Sequence, residues 1–181
     1  MIWLYLKRET DFFDGNHKML HVAPEYCFID RFSKIDKLEY ITADIESPLA
    51  KVKMDIHDIP FKENTFQILF CNHVLEHVND DKKAMSEIYR VLKPGGWAIL
   101  QIPLFFPLPS ETIEDPSIQD PKERERLFGQ DDHVRKYGLD YLDRLKEAGF
   151  TLKENFVESL DSSEIDRFGL DKNEILFVVQ K

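Results

Sequence analysis

The side chains with the most chemistry in this chain gather where an apolar run gives way to polar residues. Phe66 to Cys71 is followed at once by Asn72-His73-Val74-Leu75-Glu76-His77. Imidazole titrates near neutral pH and can take a proton from a hydroxyl or an amine, which makes His73 a candidate general base. His73-x-x-Glu76-His77 also has the residue order of the inverted zinc-protease motif. A protease would need a long helix and a further ligand, and here Asn79-Asp80-Asp81 caps a new helix instead. The expectation is therefore no metal, with Glu76 and His77 ordering a rim. A second group follows at Gln130-Asp131-Asp132-His133-Val134-Arg135-Lys136-Tyr137-Gly138. His133 is the other candidate base, and Arg135 or Tyr137 could hold an anionic substrate. The bland alternative is that Asp131 and Asp132 cap the next helix and leave His133 exposed.

These residues need elements to position them. Lys18 to Ala23 reads as a buried strand stopped by Pro24. Phe28, Ile29, Phe32 and Ile35 recur at helical spacing within Cys27 to Ile35. Leu38 to Ala43 is a second strand ending at Asp44, and Val52 to Ile56 a third, with only a rudimentary helix between them. Phe66 to Cys71 is the clearest strand. Asp80 or Asp81 caps a helix reaching Leu92, with Ala84, Met85, Ile88 and Leu92 on one face. Lys93-Pro94-Gly95-Gly96 stops that helix, and Trp97 to Pro103 follows as a strand. This alternation predicts an α/β fold with a mostly parallel twisted sheet, right-handed crossovers and helices on both faces. Residues 1–16 are expected to form an N-terminal helix packed on the body. Residues 104–136, rich in Pro and charge, are expected to be a lid or substrate-side excursion. Tyr137 to Ala148 returns to helix, and Thr151 to Val157 with Glu174 to Gln180 predicts a closing antiparallel strand pair joined by a charged loop.

The 181 residues fit a single domain, 1–181, and fourteen Phe supply bulky core surface. A net charge of −10 repels phosphate backbones, so nucleic acid is not an expected partner. The apolar start, Met1 to Leu6, falls well short of a bilayer span, so no membrane association is expected. Two cysteines, Cys27 and Cys71, fit reduced thiols in a cytoplasmic protein.

Taken together, Asp55-Ile56-His57-Asp58-Ile59-Pro60-Phe61, Asn64-Thr65-Phe66-Gln67-Ile68-Leu69-Phe70, Val74-Leu75-Glu76-His77-Val78 and Glu87-Ile88-Tyr89-Arg90-Val91-Leu92-Lys93-Pro94-Gly95-Gly96 resemble the small-molecule class of S-adenosylmethionine-dependent methyltransferases. The likeness covers about Leu20 to Pro103. It implies a Rossmann-like fold, S-adenosylmethionine as cofactor and S-adenosylhomocysteine as product. It further implies that the turn His21, Val22, Ala23, Pro24 and Glu25 binds the cofactor, that Asp44 and the neighbouring Ile45 meet the ribose, that Asp55 and the amide of Ile56 meet adenine, and that Asn72 and His73 lie under the methionine part. One departure matters. The family follows its first strand with Asp-x-Gly-x-Gly-x-Gly, whereas this chain has His21-Val22-Ala23-Pro24-Glu25-Tyr26-Cys27. Ala23, Glu25 and Cys27 take the glycine positions, and Glu25 could bind the cofactor's ammonium group or block its carboxylate. The Leu-His-x-Ala-Pro-Glu form itself resembles a distinct subset of methyltransferase-like proteins. Some methyltransferases acting on catechol-like or RNA-end substrates carry Glu-x-x-Glu-His as a metal site here, with His73 standing for the first Glu in this chain. The implied function is methyl transfer to an oxygen or nitrogen of a small metabolite. The alternative is a non-catalytic relative acting as a binding or regulatory subunit. A homodimer is compatible with either. An NAD-linked oxidoreductase lacks its Gly-x-Gly-x-x-Gly turn.

Overall fold

The computed structural model describes residues 1–181. Along the chain run α1 (Ile2–Glu9), β1 (His17–Val22), α2 (Tyr26–Phe32), β2 (Leu38–Asp44), β3 (Val52–Lys53), β4 (Phe66–Cys71), α3 (Asp81–Val91) and β5 (Leu92–Ile99). Then come β6 (Ile113–Glu114), α4 (Pro121–Phe128), β7 (Arg135–Lys136), α5 (Tyr141–Glu147), β8 (Thr151–Leu152), α6 (Ser162–Phe168) and β9 (Val178–Gln180). One sheet takes the order β3-β2-β1-β4-β5-β9-β8. Its first five strands are parallel, and β9 and β8 close it antiparallel. Strand order reverses between β1 and β4, and an open α/β sheet offers its ligand crevice at the carboxyl ends of such strands.

Successive residues of a strand face opposite sides, so both faces of this sheet carry core. Leu20, Val22, Leu69 and Cys71 pack with Ala84, Met85, Ile88 and Leu145 on one side. Met19, Ile68 and Phe70 pack with Leu6, Phe12, Phe32 and Phe156 on the other. A parallel sheet needs this double cover, which explains the nearly continuous apolar run of β4. No helix is long and apolar enough to cross a membrane.

Helix α3 shows how local sequence sets the frame. The Asp80 carboxylate accepts the Lys83 amide at 2.9 Å and caps the start. The helix ends at Val91, and the chain passes directly into β5 through Gly95 at φ 77°. A Cβ on Gly96 would lie 2.9 Å from the Lys93 carbonyl and 3.0 Å from that of Gln67, so the close approach of β5 to β4 admits only hydrogen there. Arg90 then reaches back to the carbonyls of Ile59 and Phe61, both at 2.8 Å, while Glu87 accepts the Ile59 amide at 2.9 Å. The loop after β3 is thereby fastened to α3.

Four expectations are corrected. The third strand is only Val52–Lys53, because Asp55 turns back on His57. Residues 104–136 are not an irregular excursion: they hold the antiparallel pair β6–β7 and helix α4, capped by Asp120 and closed by Gly129 at φ 97°. The charged loop before β9 holds a 3-10 turn, Phe156–Ser159, and α6, with a full capping box between Asp161 and Glu164. The helix expected from Tyr137 begins at Tyr141, because Arg135 and Lys136 are taken by β7.

The β6–β7 unit is tied to α3 and α5 by a buried ionic network. Arg144 lies 3.0 Å from Asp81 and 2.8 Å from Glu114, while Arg135 meets Glu114 at 3.0 Å. Arg135 also donates to the carbonyls of Leu75, Val78 and Asn79 at 2.6, 2.5 and 3.1 Å. The Tyr137 hydroxyl donates to Asp81 at 2.8 Å. Arg135 and Tyr137 are thus structural braces, and the expected role of either as an anchor for an anionic substrate is corrected.

Candidate active site

The register of the sheet brings the candidate residues to one edge. Val22 pairs with Ala43 on one side and Cys71 on the other, and Ala43 pairs with Val52. Ala23, Asp44 and Asn72 follow these residues directly, so the turns after β1, β2 and β4 emerge side by side. Two of these positions have left-handed backbone without glycine: Ala23 at φ 48° and His73 at φ 54°. Such a conformation costs an L-residue about 1–2 kcal/mol, and outliers of this kind concentrate at ligand sites. Ala23 therefore keeps the backbone shape that glycine would supply, and a methyl group is tolerated there.

Glu25 occupies the heart of the edge. It sits at the N-cap of α2, where its carboxylate faces inward. His21 Nε2 lies 2.5 Å from Glu25 Oε2, and Asn72 Nδ2 donates to Oε1 at 2.8 Å. The far nitrogen of the His21 ring meets the Tyr40 hydroxyl at 2.7 Å. Burial pushes the Glu25 carboxyl up, but the hydrogen bond and charge of His21 and the Asn72 amide outweigh it, and the net displacement is downward. Glu25 is therefore a fixed anion. Asn72 itself is buried, and its Oδ1 has no hydrogen-bond partner.

Glu25, Phe28, Asn72, His73 and Gln101 line an open cleft of about 300 Å³, with Met1, Ile2 and Trp3 at the start of α1 also on its wall. Val22 is buried beneath this edge, and Pro24 leads the chain from Ala23 into Glu25. His73 is more exposed than its neighbours and lies 3.5 Å from Glu76, whose hydrogen bond pushes the imidazole pKa up.

Asp44, Ile45, Asp55 and Ile56 do not line that cleft; they lie at the end of β2 and in the turn after β3, on the same edge of the sheet. Asp44 Oδ1 accepts the amides of Glu46 and Ser47 at 2.8 and 2.7 Å, which leaves Oδ2 outward. Ile45 is exposed beside it. Asp55 accepts both the amide and Nδ1 of His57, at 2.9 and 2.7 Å; the His57 amide, ahead of burial and the imidazole, holds its carboxyl below the usual range. Sequence reasoning found no partner for His57, which proves to orient Asp55. Ile56 is buried.

The structure separates the two candidate bases. His73 faces the cavity, whereas His133 is buried against the ring of His77, with ring centroids 4.7 Å apart. His133 is neither exposed nor at the cavity wall, and Asp132 pairs with His77 rather than capping a helix. A base role for His133 at the cofactor cavity is not what this placement gives. His21 and Val22, expected among the cofactor-binding residues, are buried, and both ring nitrogens of His21 are taken by Tyr40 and Glu25, so His21 supports Glu25 instead; the signal for this was the i, i+4 spacing of the two residues.

Residues 12–100 match the family model described as a methyltransferase domain. A stretch of 83 residues is 34% identical to the ubiquinone/menaquinone biosynthesis C-methyltransferase of Escherichia coli O1:K1, covering 46% of this chain and 28% of that one. The chain spans less than a third of the length of such curated relatives. Among solved structures, the S-adenosylmethionine-dependent methyltransferase of Mesorhizobium loti superposes with a TM-score of 0.61 at 14% identity, covering 98% of this chain and 95% of that one. The corresponding enzyme of Archaeoglobus fulgidus gives 0.58 at 15% identity, with 99% and 93% covered. Sheet order, edge residues and the match over residues 12–100 converge: the chain resembles the methyltransferase-domain family and shares the fold of solved S-adenosylmethionine-dependent methyltransferases.

Proposed function

We propose that this protein transfers the methyl group of S-adenosylmethionine to an oxygen or nitrogen of a small metabolite. One observation carries the reading: an ionised Glu25 and the unpartnered Oδ1 of Asn72 belong to the same small cavity at the switch point of the sheet. The Glu25 carboxylate, already held by His21 and the Asn72 amide, and the bare Asn72 Oδ1 are acceptors that suit an ammonium group, which the amino-acid end of the cofactor carries. The family's glycine-rich turn opens with an Asp where this chain has His21. Here the negative charge moves four residues along, to Glu25, and His21 becomes its support. The loop is rebuilt rather than lost.

The cofactor supplies an electrophilic methyl on a sulfonium. The protein's part is alignment and exclusion of water. Met1, Ile2, Trp3 and Phe28 dry the methionine side. Asp44 Oδ2 is left free for ribose hydroxyls, and Asp55 with the Ile56 amide for adenine. His73, at the cavity wall with Glu76 behind it, is the residue placed to take the acceptor's proton. Oxygen, nitrogen and carbon acceptors all release a proton on methylation, so a base at this position serves each of them, and the preference for oxygen or nitrogen comes from the resemblance to the small-molecule class. The E. coli relative is named for carbon methylation, but the family match ends at residue 100. A cytoplasmic setting belongs to the same reading, supported by the free thiols of Cys27 and Cys71.

Calorimetry with S-adenosylmethionine and S-adenosylhomocysteine tests it. Both should bind, and Asp44→Ala and Asp55→Ala should each weaken binding by about tenfold or more, the equivalent of about 1.4 kcal/mol per lost interaction. Folded protein that gives no heat with either ligand would leave the binding or regulatory role as the better account.

A further inference from the structure

Beyond the cofactor edge, one cluster of side chains is not used by the proposed chemistry. Glu76, His77 and His133 each present a ligand atom, and the three atoms lie within 4.8 Å of one another. Glu76 and His133 are buried, and His77 is partly open to solvent. The backbone holds them together: the Val134 amide donates to the Glu76 carbonyl at 2.9 Å, setting His133 beside the segment that carries Glu76 and His77. Arg135, one residue further, grips the carbonyls of Leu75 and Val78 on either side of that pair.

Three features point to a cation. First, Glu76 Oε2 is buried and has no hydrogen-bond partner. A buried carboxylate oxygen left bare costs free energy unless a charge or a donor meets it. Second, His133 Nδ1 lies 3.0 Å from the Phe128 carbonyl, so that nitrogen carries the proton and Nε2 keeps its lone pair. Third, His77 Nδ1 lies 3.2 Å from Asp132 Oδ2, which likewise leaves Nε2 as the ligating nitrogen. Carbonyl or carboxylate partners on the far nitrogen are the usual support of metal-bound imidazoles.

We propose that Glu76, His77 and His133 form a binding site for a divalent transition metal of the zinc class. Two imidazoles and one carboxylate suit such ions, whereas magnesium and calcium take oxygen ligands. This reverses the expectation that the chain holds no metal. His133, placed by sequence among the candidate bases, becomes a ligand. Three protein ligands leave coordination positions for water or a substrate oxygen. Glu76 also stands beside His73, so the ion lies next to the wall of the cofactor cavity. There it would draw an acceptor oxygen close and lower its pKa; this last step rests on the methyltransferase reading, but binding of the metal does not.

The test uses the full chain without a polyhistidine tag, stripped with chelator and free of cofactor. Zn²⁺ is titrated by calorimetry, and Co²⁺ by its visible absorption. One ion per chain should bind, with affinity reduced by at least about tenfold in His77→Ala, His133→Ala and Glu76→Gln. His77 is partly exposed, so its replacement leaves the core intact should the buried variants fail to fold; circular dichroism checks this. No Zn²⁺ binding by the folded protein, or binding that His77→Ala leaves unchanged, overturns the proposal. Because cofactor is absent throughout, the outcome is independent of whether S-adenosylmethionine binds.

Discussion

Glu25→Gln should weaken S-adenosylmethionine binding by roughly 30-fold or more while leaving the fold intact. Glutamine keeps the shape of the side chain and removes its charge. Truncating one partner of a buried charged hydrogen bond costs about 2–5 kcal/mol, and about 2 kcal/mol is roughly 30-fold in affinity. Titration calorimetry on wild type and variant reads this directly, and affinities within about twofold of each other would count against Glu25 as the ammonium acceptor. The same pair has a pH signature in the unliganded protein. The folded pKa of Glu25 lies below its ordinary value of 4.5. Its stabilisation is therefore complete above the ordinary value and is lost as pH falls through the lowered one. The stability difference between wild type and Glu25→Gln in urea should stay flat from neutrality to about pH 5, then shrink on further acidification.

Arg135→Ala should have the largest effect on stability of any single charged residue. Arg135 is 3% exposed and satisfies three backbone carbonyls and Glu114 at once. Its removal leaves those carbonyls without donors and part of the acidic network unpaired. Breaking a buried ion pair from one side typically costs about 3–5 kcal/mol. Urea denaturation should show a lower midpoint with an unchanged slope. Lys82→Ala offers the contrast. Its ion pair with Glu147 is just as short, at 2.8 Å, but both side chains are exposed, and its loss should be barely measurable. An Arg135→Ala protein of wild-type stability but weakened substrate binding would restore Arg135 as an anchor.

Periodicity made the central sheet legible. Strands β1, β2 and β4 and helix α3 lie where apolar spacing and the Asp80 cap put them, because each is specified by its own few residues, whereas β5, expected from Trp97 to Pro103, runs from Leu92 to Ile99 and takes Gly95-Gly96 into the strand. The short elements were not legible for the converse reason. β6 and β7 are two residues each and exist because Arg135 and Arg144 draw Glu114 and Asp81 together across distant parts of the chain. No local window contains that information. At the site, Asp44 and Asn72 fell at strand ends, as the alternation predicts, while Asp55 lies two residues past the shortened β3. Glu25 could be identified but its direction could not, since that depends on an imidazole four residues back on β1 and on the Asn72 amide just past β4. His133 was seen as reactive but misplaced, because only the Val134–Glu76 backbone bond reveals which neighbours it keeps.

The clamp made by Glu87 and Arg90 bears on how family signatures should be interpreted. These two residues, with Ile59 and Phe61, hold adenine-side backbone against a helix, and none of them touches a reacting atom. A descendant that had abandoned methylation would still need them in order to stay folded. Screens for inactive members of this group would gain by weighing the handful of positions around Glu25 and Asn72 above the longer stretch that merely keeps the scaffold rigid.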